Sequence, residues 1–103
     1  MDIVNFGPKA SDFNLTKKLN LYFTAGIPTL EDTGKVAKLI QESGADLMEI
    51  GIPYSDPVAD GPVIQDSHLF ALKNGMTISK LFEQLAEIKD SLMIPKILMG
   101  YIN

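Results

Sequence analysis

Three acidic residues stand where an acid has chemistry open to it. Glu49 interrupts the apolar run Leu47-Met48-Glu49-Ile50, and Asp56 and Asp60 follow in the Pro-rich segment IPYSDPVADGP, Ile52 to Pro62. Period-two alternation places Leu47, Glu49 and Gly51 on one face of a strand and Met48 and Ile50 on the other. If the Glu49 face points into a barrel, a carboxylate at the strand's C-terminal end stands where barrel enzymes keep catalytic groups. Partial burial there suits it to proton transfer near neutral pH. The plain alternative is a strand-end Glu that reaches solvent or pairs with a lysine. Asp56 and Asp60 would converge on the same mouth, although Asp-Pro and Asp-Gly are also common turn pairs whose carboxylates bond nearby amides.

Other chemistries find little material. There is no Cys and one His (His68), so thiolate nucleophiles, disulfides, zinc sites and other metal clusters lack ligands. No alternating Asp/Asn order of a calcium loop is present. His68 falls mid-helix and reads as a surface or packing residue. Gly26 and Gly51 form neither GxGxxG nor a phosphate loop, and the five Met are dispersed as core filler. Thirteen acidic against nine basic residues give a net charge of −4, with no basic run longer than Lys17-Lys18, which excludes a nucleic-acid footprint. No segment approaches about 18 apolar residues and the N-terminus lacks a basic flank before an apolar core, so neither membrane nor secretion is expected and the cytoplasm is the default.

The elements that must position these acids follow from pattern. The 103 residues, 46% hydrophobic, allow one domain at most. After a polar lead over residues 1–18, Leu19 to Thr24 reads as a strand. Thr29 and Asp32 form a capping box for a helix that stops at Gly44. Leu47 to Gly51 is a second strand, and three prolines stiffen the loop behind it. Val63 to Asn74 reads as a helix with Gly75 as its stop. Thr77 caps another helix whose stripe Ile78, Leu81, Phe82, Leu85, Ile88 and Leu92 is packing surface. Ile94 to Gly100 is the third strand.

Gly-Ile-Pro recurs 25 residues apart, at Gly26 and Gly51, after each of the first two strands, which reads as one β/α unit. The alternation predicts an α/β fold with parallel strands. Three strands cannot close a barrel, which typically needs about 250 residues. Both sheet edges would then be open, side chains such as Leu21, Phe23, Leu47 and Leu98 partly uncovered according to the face each occupies, and the chain prone to self-association or to binding a missing barrel part.

Asp46 to Gln65, DLMEIGIPYSDPVADGPVIQ, resembles the signature of the tryptophan synthase alpha chain family. The resemblance extends through Tyr22 to Pro28 (YFTAGIP), Ser43 to Asp46 (SGAD) and Met99 to Asn103 (MGYIN), covering the chain from about Leu19. It implies a (β/α)₈ TIM barrel of which residues 1–103 form the N-terminal segment of a single domain, with residues 19–103 its first three strands and their helices. The implied activity is cleavage of indole-3-glycerol phosphate to indole and glyceraldehyde 3-phosphate. Indole then passes to a beta chain that carries pyridoxal phosphate, while the alpha chain uses no cofactor and no metal.

The resemblance makes Glu49 the general acid/base and Asp60 the holder of the indole N–H. Tyr22 would border the indole pocket, and Asp56 and Pro57 would belong to a loop facing the beta chain. Retro-aldol cleavage needs a proton at indole C3, which generates a cationic indolenine that a carboxylate on the ring N–H stabilises. A residue in the role of Glu49 must exist readily in both protonation states. The family's phosphate-binding residues lie beyond Asn103, so activity of this stretch alone is expected to be lost or very low. The alternative is an inactive barrel fragment that only associates with a beta chain, itself or the missing part.

Overall fold

The computed structural model describes residues 2–6 as backbone, and residues 19–57 and 59–101. Residues 7–18 of the polar lead, with Ile102 and Asn103 at the end of the resembling stretch, lie outside the described residues. The lead itself contains a strand, β1 (Asp2–Phe6). Ile3, Val4 and Phe6 favour extended chain, and a neighbouring strand edge supplies backbone partners that local pattern does not announce.

Three further strands follow, β2 (Asn20–Thr24), β3 (Leu47–Gly51) and β4 (Lys96–Gly100). The sheet order is β1-β4-β3-β2. β2 with β3 and β3 with β4 are parallel, as the alternation predicts. β1 is antiparallel to β4, from Asp2 opposite Gly100 to Phe6 opposite Lys96, so the edge of β4 expected to be open is paired and the sheet is mixed.

The helices are α1 (Thr33–Glu42), α2 (Pro62–Lys73) and α3 (Ile78–Ile88), with 3₁₀ turns at Leu30–Asp32 and Lys89–Ser91. Asp32 accepts from the Thr29 amide at 3.1 Å, and the Thr77 hydroxyl accepts from the Lys80 amide at 3.1 Å, satisfying donors that a helix start leaves free. α2 begins with Pro62, whose missing N–H is harmless there. The third helix ends earlier than its apolar stripe, at Ile88. Gln41 reaches across from α1 and bonds the Ser91 carbonyl and the Met93 and Ile94 amides in the segment beyond it. Within the stripe Leu81 and Leu85 are buried, whereas Ile78 and Phe82 are exposed.

All three helices close one face of the sheet. Phe23, Met48, Ile50 and Leu98 meet Ala37, Ala71, Leu81 and Leu85 in one cluster, and each fully buried Leu, Ile or Met contributes roughly 1.5–3 kcal/mol. Phe23, Leu47 and Leu98 are 8%, 3% and 2% exposed. Those three are therefore covered, contrary to expectation, and Leu21 alone of the four is half-buried. Lys96 is buried at the start of β4, where its Nζ donates to the Leu92 and Ile94 carbonyls at 3.0 and 2.9 Å, and burial lowers its pKa.

The Gly-Ile-Pro repeat does not mark equivalent places. Gly26 lies beyond β2 in a turn at φ 93°, clamped by Thr33 Oγ1 on its amide and Asn74 on its carbonyl. Gly51 is the last residue of β3 and pairs with Thr24. Its backbone needs no positive φ; its lack of a side chain serves the site described next.

Candidate active site

Parallel pairing puts Tyr22, Glu49 and Ile97 in one row across the sheet, and Thr24, Gly51 and Met99 in a row nearer its C-terminal end. Alternation sets Glu49 opposite in facing to Met48 and Ile50, which enter the helix-side core. Glu49 thus stands, half-buried, on the face the helices leave uncovered, beside Tyr22. The Tyr22 ring leans over Gly51: a Cβ there would lie 2.0 Å from the phenolic oxygen. Burial raises the Tyr22 pKa; its bond to Thr24 opposes, and the charges of Asp60 and Glu49 add to the rise. Both carboxylates therefore act on this one hydroxyl.

Asp60 comes to the same mouth from the loop. Its amide donates to the Pro57 carbonyl at 3.1 Å and its carbonyl accepts from Gln65 Nε2 at 2.7 Å, which ties the loop's end to the start of α2. Oδ2 accepts from the Tyr101 hydroxyl at 2.9 Å and stands 3.8 Å from His68 Nε2. Desolvation together with this bond raises the Tyr101 pKa. The rings of Tyr101 and Tyr54 stack with centroids 4.7 Å apart, linking the segment after β4 to the loop after β3.

His68, read from sequence as surface or packing, is 2% exposed and wired into the site. Its Nδ1 accepts from the Tyr54 amide at 2.9 Å and its Nε2 lies 3.4 Å from the Tyr22 hydroxyl. Tyr22 continues to Thr24 Oγ1 at 2.9 Å, Thr24 to Ser67 Oγ at 2.7 Å, and Ser67 donates to the Ile64 carbonyl at 2.7 Å. Sequence reasoning missed His68, Thr24, Ser67 and Tyr101 as members of this cluster. That His68 is the chain's single His was the only available signal for it.

The three acids differ in setting. Glu49 and Asp60 both act on Tyr22, but Asp56 is exposed and Pro57 beside it is buried. Prolines on either side of Asp56 deny that stretch regular pairing. Among the described residues no cluster of His, Asp and Glu is arranged to hold a metal ion, and no helix is long and apolar enough to cross a membrane. An apolar hollow of about 500 Å³ lies on the helix side, lined by Phe23, Ile27, Val36 and Phe70 among others. Asp66 and Ser67 also line it, and neither Glu49 nor Asp60 does.

The arrangement offers a carboxylate beside an aromatic ring and a second carboxylate that accepts from a phenol, a pair of groups able to move and hold protons. The sequence profile described as "Tryptophan synthase alpha chain" matches residues 12–103. A tryptophan synthase alpha chain of Christiangramia forsetii is 59% identical over 87 residues, 84% of this chain and 34% of that protein. One of Phocaeicola vulgatus is 54% identical over 85 residues, 82% of this chain and 33% of that protein. Among solved structures, tryptophan synthase subunit alpha of Legionella pneumophila superposes with TM-score 0.77 at 40% identity, over 82% of this chain and 33% of that one. The tryptophan synthase complex of Pyrococcus furiosus gives 0.77 at 40%, over 84% and 36%. The chain spans about a third of the length of these relatives. On profile, identity and superposition alike, it belongs to the tryptophan synthase alpha chain family, as the first strands and helices of that family's TIM barrel.

Proposed function

We propose that this chain supplies the acid/base and indole-binding part of a barrel that cleaves indole-3-glycerol phosphate to indole and glyceraldehyde 3-phosphate. The observation that carries the reading is the meeting of Glu49 and Asp60 at Tyr22, with Asp60 held by the Tyr101 hydroxyl. Glu49 delivers a proton to indole C3 and accepts the proton of the glycerol hydroxyl beside the breaking carbon–carbon bond. The electron pair of that bond passes to the ring, and the hydroxyl carbon becomes the aldehyde. Asp60 accepts the ring N–H and stabilises the indolenine cation formed on the way. Tyr22 walls the ring.

No cofactor is required on this chain in that mechanism. The loop with Asp56 and Pro57 faces a beta chain that takes up the indole and carries pyridoxal phosphate. The exposed carboxylate of Asp56 supports an outward role for that loop.

The test joins this chain to the remaining barrel of the Christiangramia forsetii relative and measures indole release, with and without a beta chain. Release is expected, with a loss of about 10²–10⁴-fold in Glu49→Gln, the usual contribution of proton transfer. Asp60→Asn keeps an acceptor and should retain more activity. Normal turnover by Glu49→Gln sinks the assignment. Beta-chain binding by a chimera that releases no indole favours an association-only role, and sedimentation of the chain at micromolar concentration checks whether two copies pair.

A further inference from the structure

The polar contacts around His68 form a chain whose two ends are chemically fixed. An amide can only donate, so the Tyr54 N–H requires a lone pair on His68 Nδ1. A carbonyl can only accept, so Ser67 spends its one hydroxyl hydrogen on Ile64. The 2.7 Å contact between Thr24 and Ser67 must then be donated by Thr24, and the 2.9 Å contact between Tyr22 and Thr24 by Tyr22. The Tyr22 oxygen is left as an acceptor toward His68, and the imidazole hydrogen sits on Nε2. Both ends lead to the same proton placement, from opposite directions.

We infer that His68 is a positioning residue for Asp60: held as the neutral Nε2–H tautomer, it turns its N–H edge toward the Oδ2 that the Tyr101 hydroxyl engages, which assigns the ring N–H of an indole-type ligand to Oδ1. Nε2 lies 3.4 Å from the Tyr22 oxygen, which accepts its hydrogen, and 3.8 Å from Asp60 Oδ2, beyond hydrogen-bond reach, so toward the carboxylate the N–H acts as an oriented dipole. Such contacts commonly shorten when a ligand closes the site. Because His68 is buried in α2 and bonded to the loop backbone at Tyr54, it joins the helix to the loop that delivers Asp60. The groups facing it are the Asp60 carboxylate, the Tyr22 hydroxyl and the Tyr54 amide; Tyr101 acts on Asp60, and Glu49 on Tyr22. Burial lowers its pKa against the opposing charge of Asp60, in keeping with a neutral ring.

The assignment of Oδ1 rests on the reaction proposed above, whereas the tautomer does not. The single His makes nitrogen NMR of the ¹⁵N-labelled chain directly readable, and the same spectrum in the chimera, with His68→Gln to identify the signal, covers the larger barrel. The expected result is the Nε2–H form, with a titration midpoint below the ordinary value that falls further in Asp60→Asn. In the chimera, His68→Ala is expected to raise KM about tenfold, the size of one hydrogen bond. His68→Gln, which keeps a donor near the Nε2 position, should recover part of that. An Nδ1–H tautomer, or a midpoint unmoved by Asp60→Asn, overturns the inference even if indole is released. A chimera with the expected tautomer and no indole release fails the reaction instead.

Discussion

Tyr22 lies over Gly51 so closely that the two positions cannot vary independently. Gly51→Ala would drive a Cβ to 2.0 Å from the phenolic oxygen, and the ring must swing off its bonds to Thr24 and His68. Overpacking of this kind typically costs about 1–3 kcal/mol. In urea unfolding Gly51→Ala should show a loss of that size, most of it absent when Tyr22→Ala is already in place, because the three atoms nearest that Cβ all belong to the Tyr22 ring.

A second expectation concerns acid. The His68 pKa is lowered in the fold, so the unfolded chain binds the proton more readily. Its contribution is complete above the unfolded value of about 6.5 and is lost as pH falls from there through the lowered folded value. Unfolding free energies measured between pH 8 and pH 5 should decline over that window and stay flatter in His68→Gln. Alternation showed that Glu49 faces opposite to Met48 and Ile50 but not which face is covered, and the roles of Glu49 and Asp60 came from the family resemblance. His68 was not legible, since what defines it is an amide and a phenol brought in by folding from distant positions.

At the level of elements, turns and caps carried the clearest local signals. Thr77, Thr29 with Asp32, Pro62 and Gly75 all stand at element ends, each for a stereochemical reason that acts within a few residues. Gly26 belongs with them. Gly26→Ala would force a side chain into φ 93° and bring its Cβ to 2.9 Å from that of Met76. The expected loss exceeds about 1 kcal/mol, measured as a lower midpoint of urea unfolding with an unchanged slope. The Gly-Ile-Pro repeat shows the limit of such reading: identical tripeptides serve a turn in one place and a close ring contact in the other. Past α3 the end of the stripe, Leu92, lies in a segment whose neighbours Ser91, Met93 and Ile94 are bonded by Gln41, far away in sequence. Nothing in the stripe itself records those bonds.

At the scale of the molecule, α/β alternation and parallel pairing were readable, and β1 was not, since a five-residue segment in a polar lead is identified as a strand only by the edge it meets. That pairing has a kinetic consequence. A barrel extends its sheet beyond β4 with a further parallel strand, yet β1 already holds that edge in antiparallel register. An incoming segment must wait for β1 to leave, so the observed rate of reconstitution with the rest of a barrel should level off as that segment's concentration rises, at the rate constant for release of β1. Removing residues 2–6 should abolish the plateau and leave a rate that climbs in proportion to concentration, as stopped-flow mixing would report.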